Sequence, residues 1–180
     1  MNPKLRLLQP YPFEKLRALL AAAPTPPAEY AHINLSIGEP KHDAPECVRQ
    51  AIADNLSGLS SYPPTKGDAA LRNAIVNWIG RRYDIPTPNA DTQVLPCLGS
   101  REALFAFAQT VLDGASDSLV ICPNPFYQIY EGATLLGGAK PYYVNAVPER
   151  NFSPDWSAIP AEVWEKTQLL FVCSPGNPAG

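Results

Sequence analysis

The chain has 180 residues, among them 21 prolines and 11 glycines; 46% are apolar, 17% are charged, and the formal net charge is −3. So high an apolar content at so low a net charge excludes intrinsic disorder, and aperiodic, clustered prolines with few glycines exclude collagen and a polyproline rod. An isoelectric point near 5.4 with no run of Lys or Arg argues against nucleic acid as a partner, because phosphate binding needs a basic face.

The prolines leave long Pro-free windows at 46–62, 65–85 and 97–122, which is punctuation between packed elements. By length alone the chain is one domain, or one domain with an arm. Residues 1–30 read as the arm. Phe13, Leu16, Leu19 and Leu20 share one helical face, and Pro24 to Pro27 close the helix. Glu14, Lys15 and Arg17 interrupt the apolar run, so it reads as an amphipathic helix and not as a secretion signal. No stretch has the length of a membrane span.

An extended piece follows at residues 33–37, closed by Gly38-Glu39-Pro40. Asp43 and Glu46 have capping-box spacing, with Pro45 in the first turn of a helix whose apolar side is Val48, Ala51, Ile52 and Leu56. Residues 60–66 form a Pro-rich loop before a second helix carrying Leu71, Ala74, Ile75, Trp78 and Ile79, which Ile85-Pro86 stops. The pattern then becomes strand and helix in alternation. Strands are predicted at 93–98, 118–122, 142–147 and 168–173, and helices at 101–112, 127–136 and 155–166. The helix at 101–112 is apolar nearly all round, which predicts burial on most sides. Such alternation indicates an α/β fold with a buried, mostly parallel sheet.

Cys47, Cys97, Cys122 and Cys173 have no paired spacing and mostly apolar neighbours, so they read as buried free thiols suited to a reducing, cytoplasmic setting. Walker, G-x-G-x-x-G and H-E-x-x-H motifs are absent, and His32 and His42 stand alone, so no metal site is expected. Three loops that follow predicted strands remain. Gly99-Ser100-Arg101 at a helix N-terminus is either a plain cap or a phosphate site, with backbone N–H groups, a hydroxyl and a cation. Pro123-Asn124-Pro125-Phe126-Tyr127 presents two aromatics at the sheet's ligand edge, for core packing or for stacking on a planar ring. Asn177-Pro178 is either an ordinary turn or a directed hydrogen-bonding amide.

Taken in order, these loops resemble the fold-type I, pyridoxal-phosphate (PLP) dependent aminotransferases of class I/II. The matching pieces are Leu35-Ser36-Ile37-Gly38-Glu39-Pro40, Tyr62-Pro63-x-x-x-Gly67-x-x-x-Leu71-Arg72-x-Ala74-Ile75, Gly99-Ser100-Arg101-Glu102-Ala103, Pro123-x-Pro125-Phe126-Tyr127 and Ser174-Pro175-x-Asn177-Pro178-x-Gly180. The resemblance implies a three-layer α/β sandwich, here an incomplete large domain at 43–180, preceded by an arm and small-domain segment at 1–42. It implies roles as well. Gly99, Ser100 and Arg101 match the cofactor's phosphate cup, Tyr127 the aromatic stacked on the pyridine ring, and Asn177 the partner of the ring's phenolic oxygen. Tyr62 matches the tyrosine that reaches the neighbouring subunit's cofactor phosphate in a homodimer, with a loop anchor as the alternative. Ile37 and Gly38 match the backbone that meets the substrate carboxylate. Ala179 stands where the family carries Thr, which removes one hydroxyl near the loop.

None of the lysines sits in the family's Schiff-base context, so no catalytic residue is assigned and the chain alone is expected not to transaminate. The opening, residues 8–17, resembles bacterial N-succinyldiaminopimelate aminotransferases. That implies amino-acid and 2-oxo-acid substrates, specifically N-succinyl-LL-2,6-diaminopimelate with 2-oxoglutarate. The alternatives are an aspartate- or aromatic-type aminotransferase, or a non-catalytic chain that pairs with a full-length partner. In the family's sheet the strand before the phosphate cup is separated from the next three by strands later in sequence. The chain is therefore expected to leave a gap in its sheet, with apolar edges exposed, and to aggregate or stay partly folded.

Overall fold

The computed structural model describes the chain apart from residues 26, 28, 31, 32, 34, 39 and 116. It divides into two compact units, Tyr11–Pro96 and Cys97–Gly180, the latter joined by Met1–Pro10.

The first unit is helical. Helix α1 (Pro12–Ala21) opens on a proline, whose missing N–H costs nothing in a first turn; Leu19 and Leu20 on it are exposed. Helix α2 (Glu46–Asp54) begins later than the capping-box reading places it. Pro45 itself takes the N-cap position with extended backbone and no side-chain cap bond forms, because a residue before proline is pushed out of the helical region. Glu46 pairs with Arg49 instead. Helix α3 (Ala69–Tyr83) is capped by the Asp68 carboxylate, which accepts from the Ala70 and Leu71 N–H groups at 2.7 and 3.4 Å, and it ends at Asp84 in left-handed backbone. It stops just before Ile85-Pro86, as predicted.

Arg72 ties α3 to the chain on both sides. It donates through Nε to the Ala90 carbonyl and through Nη2 to Asp91 Oδ1, both at 3.0 Å, and through Nη1 to the Gly67 carbonyl. Two strand expectations fail here. The described residues of 33–37 are not in a strand, while residues 34 and 39, and His32, lie outside the described residues. Residues 93–98 have no strand either. A strand exists only as one side of a hydrogen-bonded ladder, and no neighbouring strand meets this segment; Leu98 is 98% exposed.

The second unit is an α/β sandwich. Its strands are β1 (Leu119–Asn124), β2 (Lys140–Asn145) and β3 (Thr167–Leu170), its helices α4 (Ser100–Val111), α5 (Ile129–Gly137) and α6 (Ala161–Lys166). The strand order is β2-β1-β3, all parallel, with Ile121 opposite Tyr142 on one side and Leu170 on the other. Period-two alternation along β1 builds two cores. Val120 and Cys122 point to one face, where they pack with Ala108 and Leu112, with Tyr130 and Ala133 of α5, and with Phe171. Ile121 points to the other, against Val144, Ile159 and Val163 of α6. These are the three layers the resemblance implied: helices, parallel sheet, helix.

Where α5 ends beside the C-cap of α4, a Cβ on Gly137 would come within 2.6 Å of Leu112 Cδ1, and that side chain would have to shift. Helix α4 departs from expectation, because only Ala108 of it is buried and Phe107 is 56% exposed. One face of α4 meets α5 and the sheet, and most of its other residues are exposed. The helix predicted over 155–166 is split. A 3-10 turn (Trp156–Ala158) and α6 flank Pro160, which takes the N-cap of α6 and holds Ile159 extended. The thiols also differ from expectation. Cys122 is buried, but Cys47, Cys97 and Cys173 are exposed, since apolar sequence neighbours bury a thiol only where another element packs on them. Among the described residues no helix is long and apolar enough to cross a membrane.

Candidate functional site

Parallel strands bring their carboxyl ends to one edge, and the loops leaving them meet there, where open α/β sheets bind ligands. A cavity of about 850 Å³ lies at this edge. The end of β1 and the loop after it supply Asn124, Phe126 and Tyr127, the segment after β2 supplies Phe152 and Trp156, the loop after β3 supplies Cys173 and Asn177, and α4 supplies Ser100. A drug-sized or cofactor-sized molecule fits a space of several hundred Å³.

The phosphate-cup reading starts at Gly99. Its φ of 110° and ψ of 145° lie where L-residues are strained, and no side chain caps α4. The first N–H groups of a helix have no partner within the helix, and they carry the positive end of its dipole. A Cβ on Gly99 would stand 2.7 Å from Glu102 Oε2, an exposed carboxylate that can turn aside, so it is the positive φ that calls for glycine here.

Tyr127 is exposed. Its hydroxyl accepts from Arg101 Nε at 2.8 Å, the guanidinium carbon lies 5.5 Å from the ring centroid, and the Tyr130 ring meets it edge-on at 6.0 Å. Tyr130 also lines the cavity and stacks on Phe171, with centroids 4.3 Å apart. Burial first, then the nearby thiols and the Tyr127 hydroxyl, raise the Tyr130 phenol above its usual range. Beneath it, burial pushes the Cys122 thiol up to about 12; a hydrogen bond with Thr134 opposes the shift and the Glu131 carboxylate adds to it. Burial thus favours the neutral form of both groups; Tyr130 lines the cavity, while Cys122 belongs to the core behind it. Asn124 Nδ2 donates to Asn145 Oδ1 at 2.7 Å and joins the ends of β1 and β2.

The structure thus brings Ser100, Tyr127 and Asn177 to one cavity, with Gly99 at its helix terminus. Arg101 is not among the lining residues; its side chain goes to Tyr127. Ile37, Gly38 and Tyr62 belong to the other compact unit, where Tyr62 is 100% exposed. Sequence reading missed the wall formed by Phe152 and Trp156, and it missed the Arg101–Tyr127 pair. No periodicity links residues 26 positions apart; only the meeting of α4 with the loop after β1 does. Among the described residues no cluster of His, Cys, Asp or Glu could hold a metal ion.

The fold is an α/β sandwich with a cavity at the carboxyl edge of its parallel sheet, the edge where proteins of this class bind ligands. The family model for aminotransferase class I and II matches residues 31–180, and the chain belongs to that family of PLP-dependent enzymes. An LL-diaminopimelate aminotransferase of Dehalococcoides mccartyi is 31% identical over 182 aligned residues, covering 100% of this chain and 46% of the relative. One from Trichormus variabilis is 32% identical, covering 82% of this chain and 38% of the relative. Among solved structures, an aminotransferase from Neisseria meningitidis is 49% identical with a TM-score of 0.89, over 99% of this chain and 45% of that one. The chain therefore spans less than half the length of the relatives it matches. The residues present fit part of the cofactor's outline: an uncapped helix terminus for a phosphate, an exposed ring for stacking, and an amide beside them.

Proposed function

We propose that the chain supplies the phosphate- and ring-holding part of a PLP-dependent aminotransferase site. The observation that carries this is the convergence of Ser100, Tyr127 and Asn177 on one cavity beside the Gly99 turn. The chemistry, an aldehyde for the amino group and a conjugated ring to take up electrons, is the cofactor's. The chain's residues bind and orient. The Ser100 hydroxyl and the first N–H groups of α4 hold the phosphate, the Tyr127 ring lies against the pyridine ring, and the Asn177 amide meets the phenolic oxygen.

In the whole protein, Ile37 and Gly38 meet the substrate carboxylate, and Tyr62 reaches the phosphate site of a second subunit in a homodimer. Residues 1–42 serve there as an arm and small-domain segment, and residues 43–180 as part of the large domain. The substrate reading is N-succinyl-LL-2,6-diaminopimelate with 2-oxoglutarate, giving N-succinyl-2-amino-6-oxopimelate and glutamate. Relatives named LL-diaminopimelate aminotransferase support a diaminopimelate-class donor. Kinetics of the whole protein with succinylated and free LL-diaminopimelate, aspartate and aromatic amino acids test it. The highest kcat/KM is expected with the succinylated donor, and a preference for aspartate or aromatic donors would overturn the reading.

A second reading is favoured by the absence of lysine among the described residues that line the cavity: a non-catalytic chain that pairs with a full-length partner. Co-elution of the two on size exclusion supports this, and separate elution removes it.

A further inference from the structure

We propose that Arg101 is a positioning residue: its side chain holds the Tyr127 ring in the orientation that stacks on a flat pyridine ring, while its backbone belongs to the phosphate-holding turn. The inference rests on the reading of this cavity as a PLP site and refines it, because a cation next to that turn would otherwise be given to the phosphate.

Three observations carry it. The guanidinium is already engaged with Tyr127, donating from Nε to the phenol oxygen at 2.8 Å while its carbon lies 5.5 Å from the ring centroid. Arg101 does not line the cavity, whereas its neighbour Ser100 and its partner Tyr127 do. Tyr127 is 39% exposed, so burial alone does not lock its ring; Tyr130 restrains one side, edge-on at 6.0 Å. A half-exposed ring that has to stack must otherwise be ordered at the moment of binding. A planar guanidinium bonded to its far end settles that cost beforehand.

Equilibrium titrations separate this role from a phosphate contact. Suitable probes are pyridoxine 5′-phosphate and pyridoxine, which share the ring, lack the aldehyde that reacts with surface lysines, and differ in the phosphate. Wild type, Arg101→Met, Tyr127→Phe and the double variant of the 180-residue chain are compared by fluorescence. Tyr127→Phe keeps the ring but removes the hydroxyl that Arg101 holds. Arg101→Met is expected to weaken both probes by the same factor, about fivefold, as for one lost hydrogen bond. Tyr127→Phe should do the same, and the double variant should lose no more than either single one. A loss confined to pyridoxine 5′-phosphate, additive losses in the double variant, or unchanged affinities would overturn the positioning role while leaving the cavity reading intact. Failure of the wild-type chain to bind either probe would instead remove the cavity reading, and the inference with it.

Discussion

The Tyr130 and Phe171 rings lie parallel, 7° apart in plane with centroids separated by 4.3 Å. This stack fixes α5 to the exit of β3, and Tyr130 forms part of the cavity floor as well. Both rings are buried, so Tyr130→Ala removes a large contact and opens a hole that rigid neighbours fill poorly. We expect a loss of about 3 kcal/mol, read as a lower urea midpoint, with Phe171→Leu costing less. Equal midpoints for wild type and Tyr130→Ala would show that the stack contributes nothing.

The thiols make a second test. The thiolate is the nucleophile, and Cys122 is buried with its ionisation pushed up to about 12, whereas Cys47, Cys97 and Cys173 are exposed. At pH 8 a thiol reagent should modify three cysteines quickly and Cys122 only on unfolding. Stability carries the same sign. The unfolded chain ionises Cys122 near its ordinary value of 9.0 while the folded chain keeps the proton. The unfolded state thus binds fewer protons, and stability falls as pH rises from about 9 toward 12. Cys122→Ala should flatten that slope; an unaltered slope would contradict the assignment.

Arg72 is buried and serves the Ala90 and Gly67 carbonyls together with Asp91. Arg72→Ala removes these bonds, each worth about 1 kcal/mol, from acceptors that water can partly reach. Amide exchange at residues 66–72 and 89–93 should accelerate about tenfold or more. Arg72→Lys should restore less than half of the protection, because an ammonium lacks the planar fork that meets several acceptors.

No lysine is among the described residues lining the cavity, and transamination needs an amine there to bind cofactor and move a proton. The 180-residue chain with PLP and glutamate should give 2-oxoglutarate no faster than PLP alone. Turnover above that rate would show that a lysine of this chain does reach the site.

Local pattern foretold much of this architecture. The apolar runs containing Val120 and Val144 became adjacent parallel strands, α3 stops before Ile85-Pro86, and the loops carrying Ser100, Tyr127 and Asn177 do meet. Errors arose where a neighbour decides the outcome. Residues 93–98 have strand composition but join no ladder among the described residues, and α4 has apolar side chains such as Phe107 that stay exposed. Asp43 has cap spacing, yet Pro45 sets the backbone, and Pro160 breaks a helix that periodicity alone would continue. The Arg101–Tyr127 pair was illegible for the same reason, since its spacing in sequence carries no signal of contact.

The account stands most directly on one titration, that of pyridoxine 5′-phosphate into the 180-residue chain followed by fluorescence. It predicts saturable binding at one site, competed by inorganic phosphate. Binding should weaken about fivefold in Ser100→Ala, which removes one hydrogen-bonding hydroxyl, and further in Gly99→Val, whose side chain cannot adopt the turn's backbone without strain. Binding that does not saturate, or that is indifferent to both substitutions, would contradict the assignment of this cavity.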